Sequence, residues 1–142
     1  MEIQFEQNAL TTSSTLFTEL TRVIAKHPAG GKHSLIIINY RDSTYNTEAG
    51  GYHPVEIAIQ KDRNSYWWSL CYITDFSYQG SPYPELAKEL DFDFSTELFS
   101  SCHFPPCSIY QASVKEMYQL WESNFLCYLD FEAYDQVEVT LY

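Results

Sequence analysis

Basic residues are scarce in this chain: eight Lys and Arg stand against nineteen Asp and Glu in 142 residues, giving a formal net charge of −11. A surface so short of positive charge repels phosphate backbones and anionic lipid, which argues against direct nucleic-acid binding and against membrane binding. Long hydrophobic runs are lacking too. Nothing approaches the ~18 consecutive apolar residues of a membrane-spanning helix. The opening Met1-Glu-Ile-Gln-Phe-Glu6 has acid where a secretory signal has a basic region and then an apolar run. The expectation is a soluble, cytoplasmic protein. Cysteine is sparse as well: Cys71, Cys102, Cys107 and Cys127 are too few for a disulfide scaffold in a chain of this length and read as free thiols. The glycine doublets Gly30-Gly31 and Gly50-Gly51 lack the Lys-Ser/Thr that follows a phosphate-binding loop, so they read as turns. No repeat or low-complexity tract is found.

What is present is apolar and aromatic. Apolar residues make up 45% of the chain and aromatics 17%, led by 12 Tyr. That is globular composition, and 142 residues suffice for one domain, 1–142, with a core that needs no staples. The charge is lopsided. Met1 to Thr74 holds seven acids against six bases, a net of −1, whereas Asp75 to Tyr142 holds twelve acids against Lys88 and Lys115 alone, a net of −10.

Periodicity divides the chain into elements. Leu16, Phe17, Leu20, Val23 and Ile24 recur at helical spacing, with hydroxyl residues Thr11 to Thr15 as N-cap candidates and Pro28 and Gly30-Gly31 as breakers. Leu35 to Tyr40 is a short β-branched run and predicts a central strand. Val55 to Gln60 and Ser65 to Ile73, joined by Lys61-Asp-Arg-Asn64, form the clearest hairpin. Alternation in its second arm puts Tyr66, Trp68, Leu70 and Tyr72 on one face and Trp67, Ser69, Cys71 and Ile73 on the other. Aromatics on both faces predict a sheet covered on both sides, by helices, by a second layer or by a partner. Ser77 to Pro84 reads as a loop, and Leu86 to Ser95 as a strand with Asp91 and Asp93 on a wet face. Ser113-Val-Lys-Glu116 matches a capping box and predicts the start of a helix. That helix is about five turns long, with Val114, Tyr118, Trp121, Phe125, Tyr128 and Leu129 on its apolar face and Met117 and Leu120 widening it. Asp135 to Tyr142 alternates as a last strand. The fold class is α+β, an antiparallel sheet with helices packed onto it.

Chemistry is harder to place. Asp91 and Asp93 could bind a hard cation or perform acid–base work, yet alternating strands with a solvated face produce such pairs routinely. Cys102, His103 and Cys107 invite a zinc reading. Adjacent Cys and His side chains point apart in an extended segment, however, and no second pair lies nearby, so neither a metal nor a cofactor is expected. His27, His33 and His53 sit near turns and read as surface residues. The aromatic stripes read first as core and second as interface anchors.

Three segments, Glu89-Leu-Asp-Phe-Asp-Phe-Ser95, Met117-Tyr-Gln-Leu-Trp-Glu-Ser-Asn-Phe-Leu-Cys-Tyr128 and Tyr134-Asp-Gln-Val-Glu-Val139, resemble a bacterial family known as domain of unknown function 2787. The resemblance implies a fold similar to that of the acidic mitochondrial-glycoprotein family, a twisted antiparallel sheet flanked by an N-terminal helix and a long C-terminal helix that serve in association. It implies no activity, and no catalytic residue carries over onto this chain.

The acidic second half points to a non-enzymatic module that binds a basic protein surface, with Asp91, Asp93, Glu97, Trp121, Glu122, Asp130 and Glu132 as interaction candidates. The competing expectation is a carboxylate-based small-ligand or metal-dependent enzyme using Asp91 and Asp93. The aromatic content is compatible with self-association as a homo-oligomer through the C-terminal helix, without fixing the number of subunits.

Overall fold

Residues 3–27 and 33–142 are described by the structure, a computed structural model. Pro28 and Gly30-Gly31, the expected breakers, lie outside them. Among the described residues the order is β1 (Gln4–Phe5), α1 (Ser14–Ala25), β2 (Leu35–Arg41), β3 (Val55–Lys61), β4 (Trp67–Gln79), β5 (Glu85–Asp93), β6 (Leu98–Ser101), β7 (Cys107–Ser108), α2 (Ala112–Asp130) and β8 (Gln136–Leu141). The strands form one eight-stranded sheet in the order β7-β6-β5-β4-β3-β2-β8, with β1 added in parallel to the start of β4. Every other pairing is antiparallel.

The β2–β4 meander follows from its residues. Ile36, Ile38 and Tyr40 of β2 stand opposite Ile59, Ile57 and Val55 of β3, and all six are buried. β4 departs from strict alternation. A register shift at Ala58/Ile59 leaves Cys71 as an extra residue, so Ile59 faces Leu70 while Ala58 faces Tyr72. Trp68, Leu70 and Ile73 therefore join the core, and Tyr72, expected beside Leu70, passes to the other face. A second shift between Asp75 and Phe76 does the same to β5, where Glu89 is the extra residue. β4 also runs on to Gln79 through the start of the expected loop.

Both helices contribute to the same core as Ile36, Ile57, Ile73 and Phe92. They cover one face of the sheet and, among the described residues, nothing covers the other. Within the described chain only the helix face is covered: Trp68 is buried there, while the bulge sends Tyr72 to the open face. α1 starts at Ser13, whose Oγ accepts from the Leu16 amide at 3.2 Å, and buries Leu16, Leu20, Val23 and Ile24. α2 differs from expectation at its start. Gln111 is the N-cap, in extended conformation, and its carbonyl accepts from the amides of Val114 and Lys115. Ser113 is already helical and cannot form the capping box, which requires an extended residue. The buried stripe is Val114, Tyr118, Trp121, Glu122 and Phe125; Met117 and Leu120 are exposed, so they do not widen the packed face. Trp121 stacks on Phe125 with centroids 4.9 Å apart, and Phe92 meets Tyr118 edge-on at 5.2 Å, which ties α2 to β5.

Candidate functional site

Asp75 stands on the helix face of β4, in a cross-strand row with Val55 and Leu90. A carboxylate among apolar neighbours must be hydrogen-bonded or paired. Trp121 Nε1 on α2 donates to Asp75 Oδ2 at 3.1 Å, and His53 Nδ1 lies 2.8 Å from Asp75 Oδ1. The same nitrogen is 3.1 Å from Oε2 of Glu89, which the β5 bulge delivers to this point. One imidazole nitrogen thus faces two carboxylates.

The loop before β3 fixes His53. Asp42 Oδ1 accepts from the Thr44 amide and hydroxyl, and Asp42 Oδ2 accepts from the Tyr52 amide at 3.1 Å, bonds that hold the Asp42 carboxyl below its ordinary pKa. Gly51 closes the turn at φ 136°, where a Cβ would lie 2.9 Å from Tyr45 Cα. Only glycine fits there. The Tyr45 ring in turn stacks on His53 with centroids 5.4 Å apart. The hydrogen bond to Asp75 raises the His53 pKa above its ordinary value. Burial opposes that rise, and the negative charges of Asp75 and Glu89 add to it.

Beside this triad lies a cleft of about 270 Å³, lined by Tyr52, His53, Asp75, Trp121, Asn124, Tyr128 and Tyr134 among others. His53, Asp75 and Glu89 present three potential metal-ligand atoms within 4.8 Å of one another. Chemically the arrangement can hold a proton between carboxylates or a cation in its place.

The residues expected from sequence do not converge on the cleft, Trp121 excepted. Asp91 lies on the uncovered face, accepting from Thr74 Oγ1 at 2.8 Å, with Lys88 Nζ 3.6 Å away. Asp93 accepts from the Ser95 and Thr96 amides and shapes the turn after β5. Both are held by local bonds and lie away from the cleft. Glu97 sits in that turn at φ 60°. Glu122 is buried under α2, its carboxylate accepting from the Ser13 amide. Asp130 ends α2, and Glu132 follows exposed at φ 57°. Asp75, His53 and Glu89 were absent from the expected set. Asp75 had a partial signal, alternation with Ile73; the bulge at Cys71 is what turns both to the helix face.

The uncovered face carries its own pattern. One cross-strand row reads Glu138, Asn39, Glu56, Thr74, Asp91, Ser100 from β8 to β6, and the next contains Thr140, Ile37, Ala58, Tyr72, Asp93 and Leu98. Glu56 Oε2 accepts from Tyr72 OH at 2.5 Å. In the first row a carboxylate recurs on every second strand, about 10 Å apart.

Residues 14–140 match the family described as protein of unknown function (DUF2787). The chain belongs to that family. It is also similar along almost its whole length to two solved structures from Vibrio cholerae. One is the hypothetical protein VC0508 of the VSP-II pathogenicity island, 35% identical with a TM-score of 0.93, the match covering 99% of this chain and 100% of that one. The other is the conserved hypothetical protein VC1805 of pathogenicity island VPI-2, 38% identical with a TM-score of 0.85, covering 96% and 99%; it is described as sharing structural homology with the human P32 protein. No curated protein matches the chain. The two solved structures share the fold of this chain, an α+β architecture in which the N- and C-terminal helices flank an antiparallel sheet that is not closed. No described helix is long and apolar enough to cross a membrane.

Proposed function

We propose that this DUF2787 protein is a non-enzymatic interaction module that receives a basic protein surface on its uncovered sheet face. The observation that carries the reading is the row in which Glu138, Glu56 and Asp91 recur on alternate strands, with Asp93 in the adjoining row. Strands hold these carboxylates at fixed spacing, so a partner meets a prearranged set of charges rather than mobile ones. Lys88 and Arg41 are the basic residues next to the set, and Lys88 is already paired with Asp91. The remaining acids add a long-range field that speeds encounter and is screened by salt.

The test uses the purified chain as bait and compares wild type with a triple variant, Glu56→Gln, Asp91→Asn and Glu138→Gln. Gln retains an acceptor for Tyr72, so folding is preserved. Basic proteins should be retained by wild type at low salt, released between low and physiological ionic strength, and poorly held by the variant at any salt. Equal retention by the two, or partners that are themselves acidic, would overturn the proposal.

A further inference from the structure

The helix face of the sheet holds a second feature that the docking reading does not use. From the His53–Asp75–Glu89 cluster we infer a binding site for a first-row divalent cation, of the Mn²⁺ or Zn²⁺ class, opening onto the aromatic cleft.

Three observations support it. The first is distance. Ligand atoms in cis positions around an ion with bonds of about 2.1 Å lie about 3 Å apart. His53 Nδ1 is 2.8 Å from Asp75 Oδ1 and 3.1 Å from Glu89 Oε2, so an ion can take the place of the shared proton with little movement. The second is charge. Two carboxylates facing one imidazolium leave one negative charge unbalanced, and two when the ring is neutral. Among the described residues neither Asp75 nor Glu89 has a Lys or Arg partner. A divalent ion on a neutral imidazole balances the cluster, which matters here because the Asp75 side chain is only 13% exposed. The third is support behind the ligands. The Trp121 indole N–H holds the far oxygen of Asp75, and Tyr45 stacks on His53, which fixes both donors in the way outer partners orient metal ligands.

The donor set selects the class of ion. Imidazole nitrogen suits transition ions, and carboxylate oxygen extends the range to Mn²⁺. A Ca²⁺ ion wants six to eight oxygens, and Mg²⁺ prefers oxygen and water. Three protein ligands leave coordination positions free on the cleft side, where Asn124 and Tyr128 line the wall. A water or a small oxygen-bearing molecule would complete the sphere.

Calorimetric titration of the full chain with MnCl₂ and separately with ZnCl₂ tests this. Mn²⁺ is the more telling probe because it has little affinity for thiols, and a Cys102→Ser background removes the exposed thiol beside His103. The expected result is one ion per chain, bound more weakly as pH falls and protons compete for His53. Binding should be abolished by Glu89→Gln and by Asp75→Asn and weakened roughly ten-fold by Trp121→Phe. Asp91→Asn should change nothing. Glu89 is at a bulge and partly exposed, so its variant keeps the fold even where Asp75→Asn does not, and circular dichroism verifies this. Failure of wild type to bind either ion at millimolar concentration would overturn the inference. So would a one-to-one Mn²⁺ signal unchanged in Glu89→Gln, or a Zn²⁺ signal that vanishes only with Cys102→Ser.

Discussion

At the residue scale, His53 is where protonation meets stability. Its pKa is raised in the folded chain, chiefly by the hydrogen bond to Asp75. The stabilisation from its charged form is therefore fully present below the imidazole's unfolded value and is lost as pH rises through the folded value. With a chelator present, urea unfolding of wild type and His53→Gln should differ most in mildly acidic solution, and the difference should shrink as pH is taken from about 6 to about 8.5. A difference that grows over that range would mean the ring is held neutral. The same residues show what sequence can and cannot expose about a site. Asp75 was readable only as sharing a face with Ile73; the bulge at Cys71 decided that this face is the helix side, where a carboxylate has to find donors. Glu89 was not readable, because it reaches the cluster only through an unpaired bulge that no local pattern marks. His53 depends on a loop whose shape is set by Gly51 and the Asp42 bonds, interactions across ten residues that composition does not reveal.

At the element scale, the two helices begin in different ways. Ser13 caps α1 through its side chain, whereas Ser113 has no such bond and Gln111 caps α2 with its backbone alone. Ser13→Ala should lower stability by about 1 kcal/mol, while Ser113→Ala should shift it by less than about 0.5 kcal/mol. Denaturant midpoints read both, and an equal loss would restore the capping box. Periodicity revealed both helices and the runs now seen as β2, β3, β5 and β8, because each is long enough to repeat its own period. β1 and β7 are two residues each and carry no period at all. In β4 the bulge after Leu70 reassigned Tyr72, and the Gly and Pro residues following Gln79 made its last turn of sheet resemble loop. On α2, Leu120 satisfies helical spacing yet is 64% exposed, while Glu122 is buried because the Ser13 amide needs an acceptor. Hydropathy cannot anticipate a partner drawn from 109 residues away.

At the scale of the molecule, the lopsided charge of the chain does not make a lopsided protein. The near-neutral β2 and β3 lie between β4 and the edge strand β8, so the acidic second half is divided between β5 to β7 on one side of them and β8 on the other, with α2 across the helix face. That is how acids distant in sequence come into one cross-strand row. β8 also shields β2: Ile36 pairs with Leu141 and Ile38 with Val139, and both Val139 and Leu141 pack against the core. Deleting residues 136–142 should leave Leu35 to Ile38 along an open edge and produce aggregation by light scattering with loss of cooperative unfolding. A truncated chain that stays monomeric and melts sharply would contradict this. The pairing has a temporal side as well. β2 is made early, and its outer neighbour arrives roughly a hundred residues later, which at ordinary rates of translation is a wait of about 5–20 s. During that interval the nascent chain carries an isoleucine-rich strand paired with β3 on one edge and open on the other, and that open edge is exposed to other copies until the last strand emerges.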